Sequence, residues 1–76
     1  MNEYILKVMV WLKNRSFYSE EVMLENYTNA DAAADAAANA AAAYAAYSVY
    51  IFFKYSGHKR SQYEQEVNKR LNNENN

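Results

Sequence analysis

At 76 residues the chain is one domain at most, and domains of that size bury a modest share of their surface and sit near the edge of stability. It has no cysteine, which excludes disulfides and thiolate metal sites, and one histidine, which cannot build a metal site without several carboxylates beside it, so no cofactor is expected. A formal net charge of -1 excludes both the basic excess of a nucleic-acid coat protein and the strong acidity of a DNA mimic.

Asn2 is placed to cap a first helix, with Glu3 in its first turn facing the positive end of the helix dipole. From Tyr4 to Leu12 every residue except Lys7 is apolar, with no clean alternation, which fits a buried helix or a buried strand. The β-branched and aromatic residues Ile5, Val8, Val10 and Trp11 keep the strand open. Glu3 opens this run and no small-residue cleavage site follows it, so it does not read as a signal peptide. Lys13, Asn14, Arg15 and Ser16 form a polar turn.

Ser19 before Glu20 and Glu21 is a helix start, a hydroxyl cap followed by acids at the positive pole. Thr28 with Asp31 three residues on is a second cap signature. It is the expected start of a central helix running to about Ser56, since Ala30 to Ala46 has the composition of the strongest helix formers. Ser48 to Tyr55 is more β-prone. Ala36 to Phe53 carries no charge and is long enough to cross a bilayer, but only Val49, Ile51, Phe52 and Phe53 in it drive insertion, so no span is expected.

Gly57 supplies a left-handed helix end, with Lys54, His58, Lys59 and Arg60 near the negative pole. Ser61 with Glu64 is a capping-box pattern that opens a last helix, along which Tyr63, Val67 and Leu71 form one apolar stripe. Residues 1–71 therefore read as a single helical domain and residues 72–76 as a disordered polar tail. The expected fold class is all-α, a helical hairpin or small bundle around one long Ala/Tyr-rich helix. The alternative is α+β with residues 4–12 as a strand.

At ~100° per residue, Asp31, Asp35 and Asn39 share one polar stripe of the central helix and Tyr44, Tyr47, Ile51 and Tyr55 share another, roughly opposite. Further along, Val49 and Phe53 occupy the angular position of the aspartates, so that end of the helix is apolar all round and has to be covered. Much of the 51% hydrophobic content is alanine, whose single methyl buries little area. A core this thin needs outside help. Without cysteine or metal that help is another subunit, so the chain is expected to form a homo-oligomer, most simply a dimer.

A tyrosine stripe at helical spacing is most simply core and dimer packing. Eight tyrosines exceed what a small core needs, and tyrosine gives large contact area at low entropy cost. On that second reading Trp11, Tyr44, Tyr47, Tyr50 and Tyr55 contact a protein partner. Asp31 and Asp35 read as a solvated face. His58 has no orienting partner of the kind a general base needs, and no glycine-rich phosphate loop, nucleophile elbow or zinc motif occurs, so the chain is not expected to be an enzyme. Lys54, Lys59 and Arg60 are possible phosphate contacts, although balancing the helix dipole is the preferred reading of them. Two rival classes are a nucleic-acid or ribonucleoprotein binder that adds Lys69 and Arg70 to those cations, and a structural or membrane-associated helical protein.

The opening Lys7-Val8-Met9-Val10-Trp11-Leu12-Lys13-Asn14, the acidic helix start and the Ala/Tyr/Asp-rich helix resemble small alanine-rich proteins carried by tailed phages. Phe53-Lys54-Tyr55-Ser56-Gly57, with Tyr63, Val67, Asn68 and Lys69 after it, extends the likeness over most of the chain. The hydrophobic run ending in an aromatic and Lys-Asn is also similar to phage antitoxins of the Dmd type, from which the long alanine segment departs. The resemblance implies a cytoplasmic inhibitor that binds a host defence protein or toxin. It carries over no catalytic residue.

Overall fold

The computed structural model describes residues 1–30 and 45–74, and over these it is all-α. The elements are α1 (Glu3–Lys13), α2 (Glu20–Asn29), α3 (Ala45–Ser56) and α4 (Arg60–Glu74), with no strand among the described residues. The polar stripe of Asp31, Asp35 and Asn39, the alanines between Asp31 and Tyr44, and Tyr44 itself lie outside the described residues, as do Asn75 and Asn76.

Residues 4–12 are helix, not the strand of the α+β alternative. Asn2 caps it, its Oδ1 accepting the Ile5 N–H at 3.0 Å. The burial pattern explains the outcome. Ile5, Leu6, Val8, Met9 and Val10 are all buried, and on a helix these positions cover an arc of roughly 200° at ~100° per residue. A strand would send neighbours such as Met9 and Val10 to opposite faces. So wide an apolar arc needs neighbours on several sides, and α1 packs against α2, α3 and α4. Ala45, Val49 and Phe52 from α3 and Tyr63 and Val67 from α4 complete the core.

The turn after α1 is built by Asn14, whose Oδ1 accepts from the Ser16 N–H at 3.1 Å and the Ser16 hydroxyl at 2.8 Å. Ser19 caps α2 through its hydroxyl oxygen, which accepts from the Val22 N–H at 3.2 Å. Asn26 is the polar member of the α1–α2 contact: it is buried, and its Nδ2 donates to the Tyr4 carbonyl at 3.2 Å. Gly57 takes φ 78°, the left-handed conformation that ends α3.

Two expected helix starts are corrected. Thr28 lies inside α2 and caps nothing; its hydroxyl donates back to the Leu24 carbonyl at 2.9 Å, the alternative open to a threonine within a helix. The helix ends at Asn29, where Ala30 turns to extended backbone (φ -62°, ψ 136°), so no central helix begins at Thr28. Ser61 likewise sits within α4, which begins at Arg60. The Glu64 carboxylate that would close the capping box binds Lys13 and Arg60 instead, at 2.9 and 3.4 Å. The stripe Tyr63, Val67, Leu71 does face the core, and α4 continues to Glu74, beyond the Leu71 boundary.

Leu6→Ala is expected to cost about 2–5 kcal/mol. Stabilities of ~0.05–0.15 kcal/mol per residue give a chain of this length roughly 4–11 kcal/mol in all. Urea denaturation of L6A should therefore show a large fall in midpoint, and an unchanged midpoint would deny α1 its central place.

Candidate interaction surface

Helix α3 divides its residues between two faces. Ala45, Ser48, Val49 and Phe52 are buried against the core, while Tyr47, Tyr50 and Tyr55 are 64%, 51% and 74% exposed. Tyr47, Ile51, Lys54 and Tyr55 follow one another along the outer face, a turn or less apart, with Tyr50 beside them. The Tyr47 and Tyr50 rings lie 6.2 Å apart. The Lys54 ammonium sits between two rings, 5.9 Å from Tyr50 and 5.5 Å from Tyr55, within cation–π range. Within one chain the core covers the Val49 side of this segment and leaves the tyrosines outside.

Trp11 is separate from this patch. It is half buried against the core, with the Arg15 guanidinium 4.2 Å above its ring, and among the described residues it makes no ring contact with an α3 tyrosine. Tyr44, the remaining expected contact, is outside the described residues. The expected phosphate contacts Lys54, Lys59 and Arg60 are all exposed. Arg60 is engaged by Glu64 and lies 5.4 Å from the Phe53 ring. Arg70 is committed more firmly, giving two parallel hydrogen bonds to Glu3 at 2.6 and 2.8 Å.

The loop between α3 and α4 is held by Tyr63, which is 1% exposed. Its hydroxyl accepts the Asn2 N–H at 2.7 Å and lies 2.6 Å from His58 Nδ1. The hydroxyl thus links the Asn2 backbone and the His58 ring through one oxygen. Phe52 and Phe53 pack edge-on to the Tyr63 ring at 5.8 and 4.9 Å, and His58 packs against Phe52 at 5.2 Å. One side chain thus joins α3, α4, the loop and the N-terminus behind the exposed tyrosines. Sequence reasoning gave Tyr63 a core position and overlooked the hydroxyl, because the Asn2 partner is 61 positions away.

Two ion pairs fasten α4 to the ends of α1. Hydrogen bonding by Arg70 holds the Glu3 carboxyl below its ordinary value against an opposing effect of burial, and Glu3 in turn raises Arg70. Hydrogen bonding by Lys13, opposed by burial and helped by Arg60, holds Glu64 low in the same way. No group of three or more His, Asp or Glu side chains suited to a metal ion occurs among the described residues.

The chain matches no protein-family model, no curated protein and no solved structure.

Two outcomes follow. Tyr63→Phe keeps the rings packed but removes the hydroxyl from half-buried Asn2 and exposed His58, at an expected cost of about 0.5–1.5 kcal/mol in denaturant titrations; a drop too small to resolve would mean that the hydroxyl contributes nothing. The second concerns acid. Both carboxyls are held below 4.5 in the fold, so as pH falls the unfolded chain takes up protons first. Their contribution is intact above 4.5 and is lost as pH drops through the folded values. The side chains of Glu3 and Glu64 are 53% and 34% exposed, and solvent screening limits such pairs to about 0–1 kcal/mol each. A Glu3→Gln/Glu64→Gln variant should lose the corresponding part of the acid limb in denaturations run from pH 7 to 3 at low salt. An identical limb would place it elsewhere.

Proposed function

We propose that the protein acts by stoichiometric contact with another polypeptide, which docks on the tyrosine face of α3. The observation that carries this reading is the division of aromatics on one helix. Phe52 fills the core, Phe53 packs against it, and Tyr47, Tyr50 and Tyr55 stand outside. The exposed rings are not needed for the chain's own packing. Large, rigid, amphipathic side chains of this kind are the ones that dominate binding energy at protein interfaces. The phage-like sequence texture supports the finer reading. The partner is a host defence protein or toxin in the host cytoplasm, and the protein is an inhibitor that covers its active or assembly surface without doing chemistry of its own. Trp11, half buried under Arg15, is at most a peripheral contact.

The ion pairs weigh against nucleic acid as the partner. Of the five cations that reading would use, Arg60 and Arg70 hold Glu64 and Glu3, which leaves Lys54, Lys59 and Lys69 to meet phosphate. As for a membrane-associated helix, no helix among the described residues is long and apolar enough to cross a bilayer.

Capture from host lysate with the wild-type chain and with Tyr47→Ala/Tyr50→Ala/Tyr55→Ala tests the reading. Exposed substitutions of this kind shift stability by about 0.5 kcal/mol or less each, so the variant stays folded. Loss of a hot spot worth about 2 kcal/mol or more corresponds to roughly thirtyfold in affinity. The wild type should recover one partner in stoichiometric amount and the variant should lose it. Repeated wild-type captures without a stoichiometric protein, or equal recovery by the variant, would refute the reading, and recovery of RNA or DNA that falls away with salt would favour the rival.

A further inference from the structure

The outer face of α2 is the chemical complement of the outer face of α3. On α2, Val22, Met23 and Asn26 point inward, and Glu20, Leu24, Tyr27 and Thr28 share the outward face with Glu21 beside them. Leu24 is 65% exposed and Tyr27 47%. The helix carries three glutamates and no basic residue. Helix α3 has the opposite character: exposed tyrosines, Lys54 and no acid, continued by exposed His58, Lys59 and Arg60. Among the described residues Glu20, Glu21, Glu25, Lys54 and Lys59 form no ion pair within the chain.

We propose that these two faces dock on one another between two copies of this chain, the acidic face of α2 from one copy covering the tyrosine face of α3 from the other. The proposal rests on reading the α3 face as an interaction surface, and it names an occupant for that face. Charge selects the pairing. An α3–α3 contact would set Lys54 against Lys54, and an α2–α2 contact would set glutamate against glutamate, both of which like-charge repulsion opposes. The cross contact neutralises both faces and covers Leu24 and Tyr27 as well as the tyrosines. About a twofold axis it is made twice, which doubles the covered area towards the ~800 Å² per partner typical of a specific interface.

Sedimentation equilibrium of the purified chain over the micromolar to millimolar range tests this, with three variants. Lys54→Glu alone and Glu20→Lys/Glu21→Lys alone should each weaken self-association at least about tenfold, because each reversal turns an attraction between the faces into a repulsion. An equimolar mixture of the two should associate again, because each reversed α2 then meets a reversed α3 while the other contact stays native. Reversing Glu20 and Glu21 also removes acids from a helix start. Leu24→Ser, which lies at the centre of the face with no dipole role, must therefore weaken association too, while circular dichroism shows the fold retained. High salt should weaken the wild-type contact. A wild-type chain that stays monomeric overturns the proposal, and so does a dimer indifferent to the α2 variants. A monomer that still captures a foreign protein through its tyrosines ends this inference alone; a dimer that behaves as described but never captures one ends only the reading under the previous heading.

Discussion

The apolar arc of α1 is the constraint that the remaining helices answer. Ile5, Leu6, Val8, Met9 and Val10 are buried over roughly 200° of the helix, where a helix lying on a single neighbour needs an arc nearer ~100°. Burying such an arc takes neighbours on more than one side, and α2, α3 and α4 supply them. Because α1 occupies the centre, each other helix needs only one apolar face. That is why α2 and α4 remain largely polar, and why α3 meets the core along Ala45, Ser48, Val49 and Phe52 while its other side stays in solvent. The exposure of Tyr47, Tyr50 and Tyr55 is thus a consequence of where α1 sits.

A small core is held in register by a few polar ties of long reach. Adjacent residues Tyr63 and Glu64 bond to Asn2 and to Lys13, at opposite ends of α1, so the beginning of α4 lies across α1. Arg70 returns to Glu3 further along. These bonds differ in worth. The Tyr63 hydroxyl is out of solvent, where an unmade hydrogen bond carries its full desolvation penalty, whereas the ion pairs are partly solvated and contribute little each. Orientation of α4 therefore depends more on one buried hydroxyl and its ring contacts than on the charges around it. Asn26 is the other buried tie; its Nδ2 is satisfied by Tyr4, and nothing donates to its Oδ1 among the described residues.

What was legible in the sequence was local. Asn2, Ser19 and Gly57 act as the caps their chemistry suggests, and Tyr63, Val67 and Leu71 face inward as their spacing requires. Local patterns failed where a distant partner competed for the same group. Ser61 and Glu64 have capping-box spacing, but Lys13, 51 positions away, claims the carboxylate. Thr28 has a cap-like neighbourhood, yet a threonine hydroxyl is equally served by the carbonyl four residues back. The run from Tyr4 to Leu12 could not be assigned by periodicity, because burial from several sides erases it. For the surface, the tyrosine stripe was visible in the spacing of Tyr47, Ile51 and Tyr55. Which side of α3 meets the core was not, since that depends on α1. The exposure of Leu24 and Tyr27 was hidden for the same reason: it is decided by the inward turn of Val22, Met23 and Asn26.

If copies of the chain cover one another's α3 face, self-association and capture of a foreign partner are linked. A target docking on the tyrosines must first find that face open, so its apparent affinity is reduced by the fraction of chain that is unpaired. That fraction rises on dilution, because pairing depends on chain concentration and a one-to-one complex with a scarce target does not depend on it in the same way. The exposed rings would then be shielded from indiscriminate contact when the chain is abundant and released as it is diluted or drawn off by its target. A target able to compete would need to present what α2 presents, an apolar centre flanked by carboxylates, and do so better than Leu24, Tyr27, Glu20 and Glu21. On that condition the acidic face of α2 would be a template for the surface that α3 recognises.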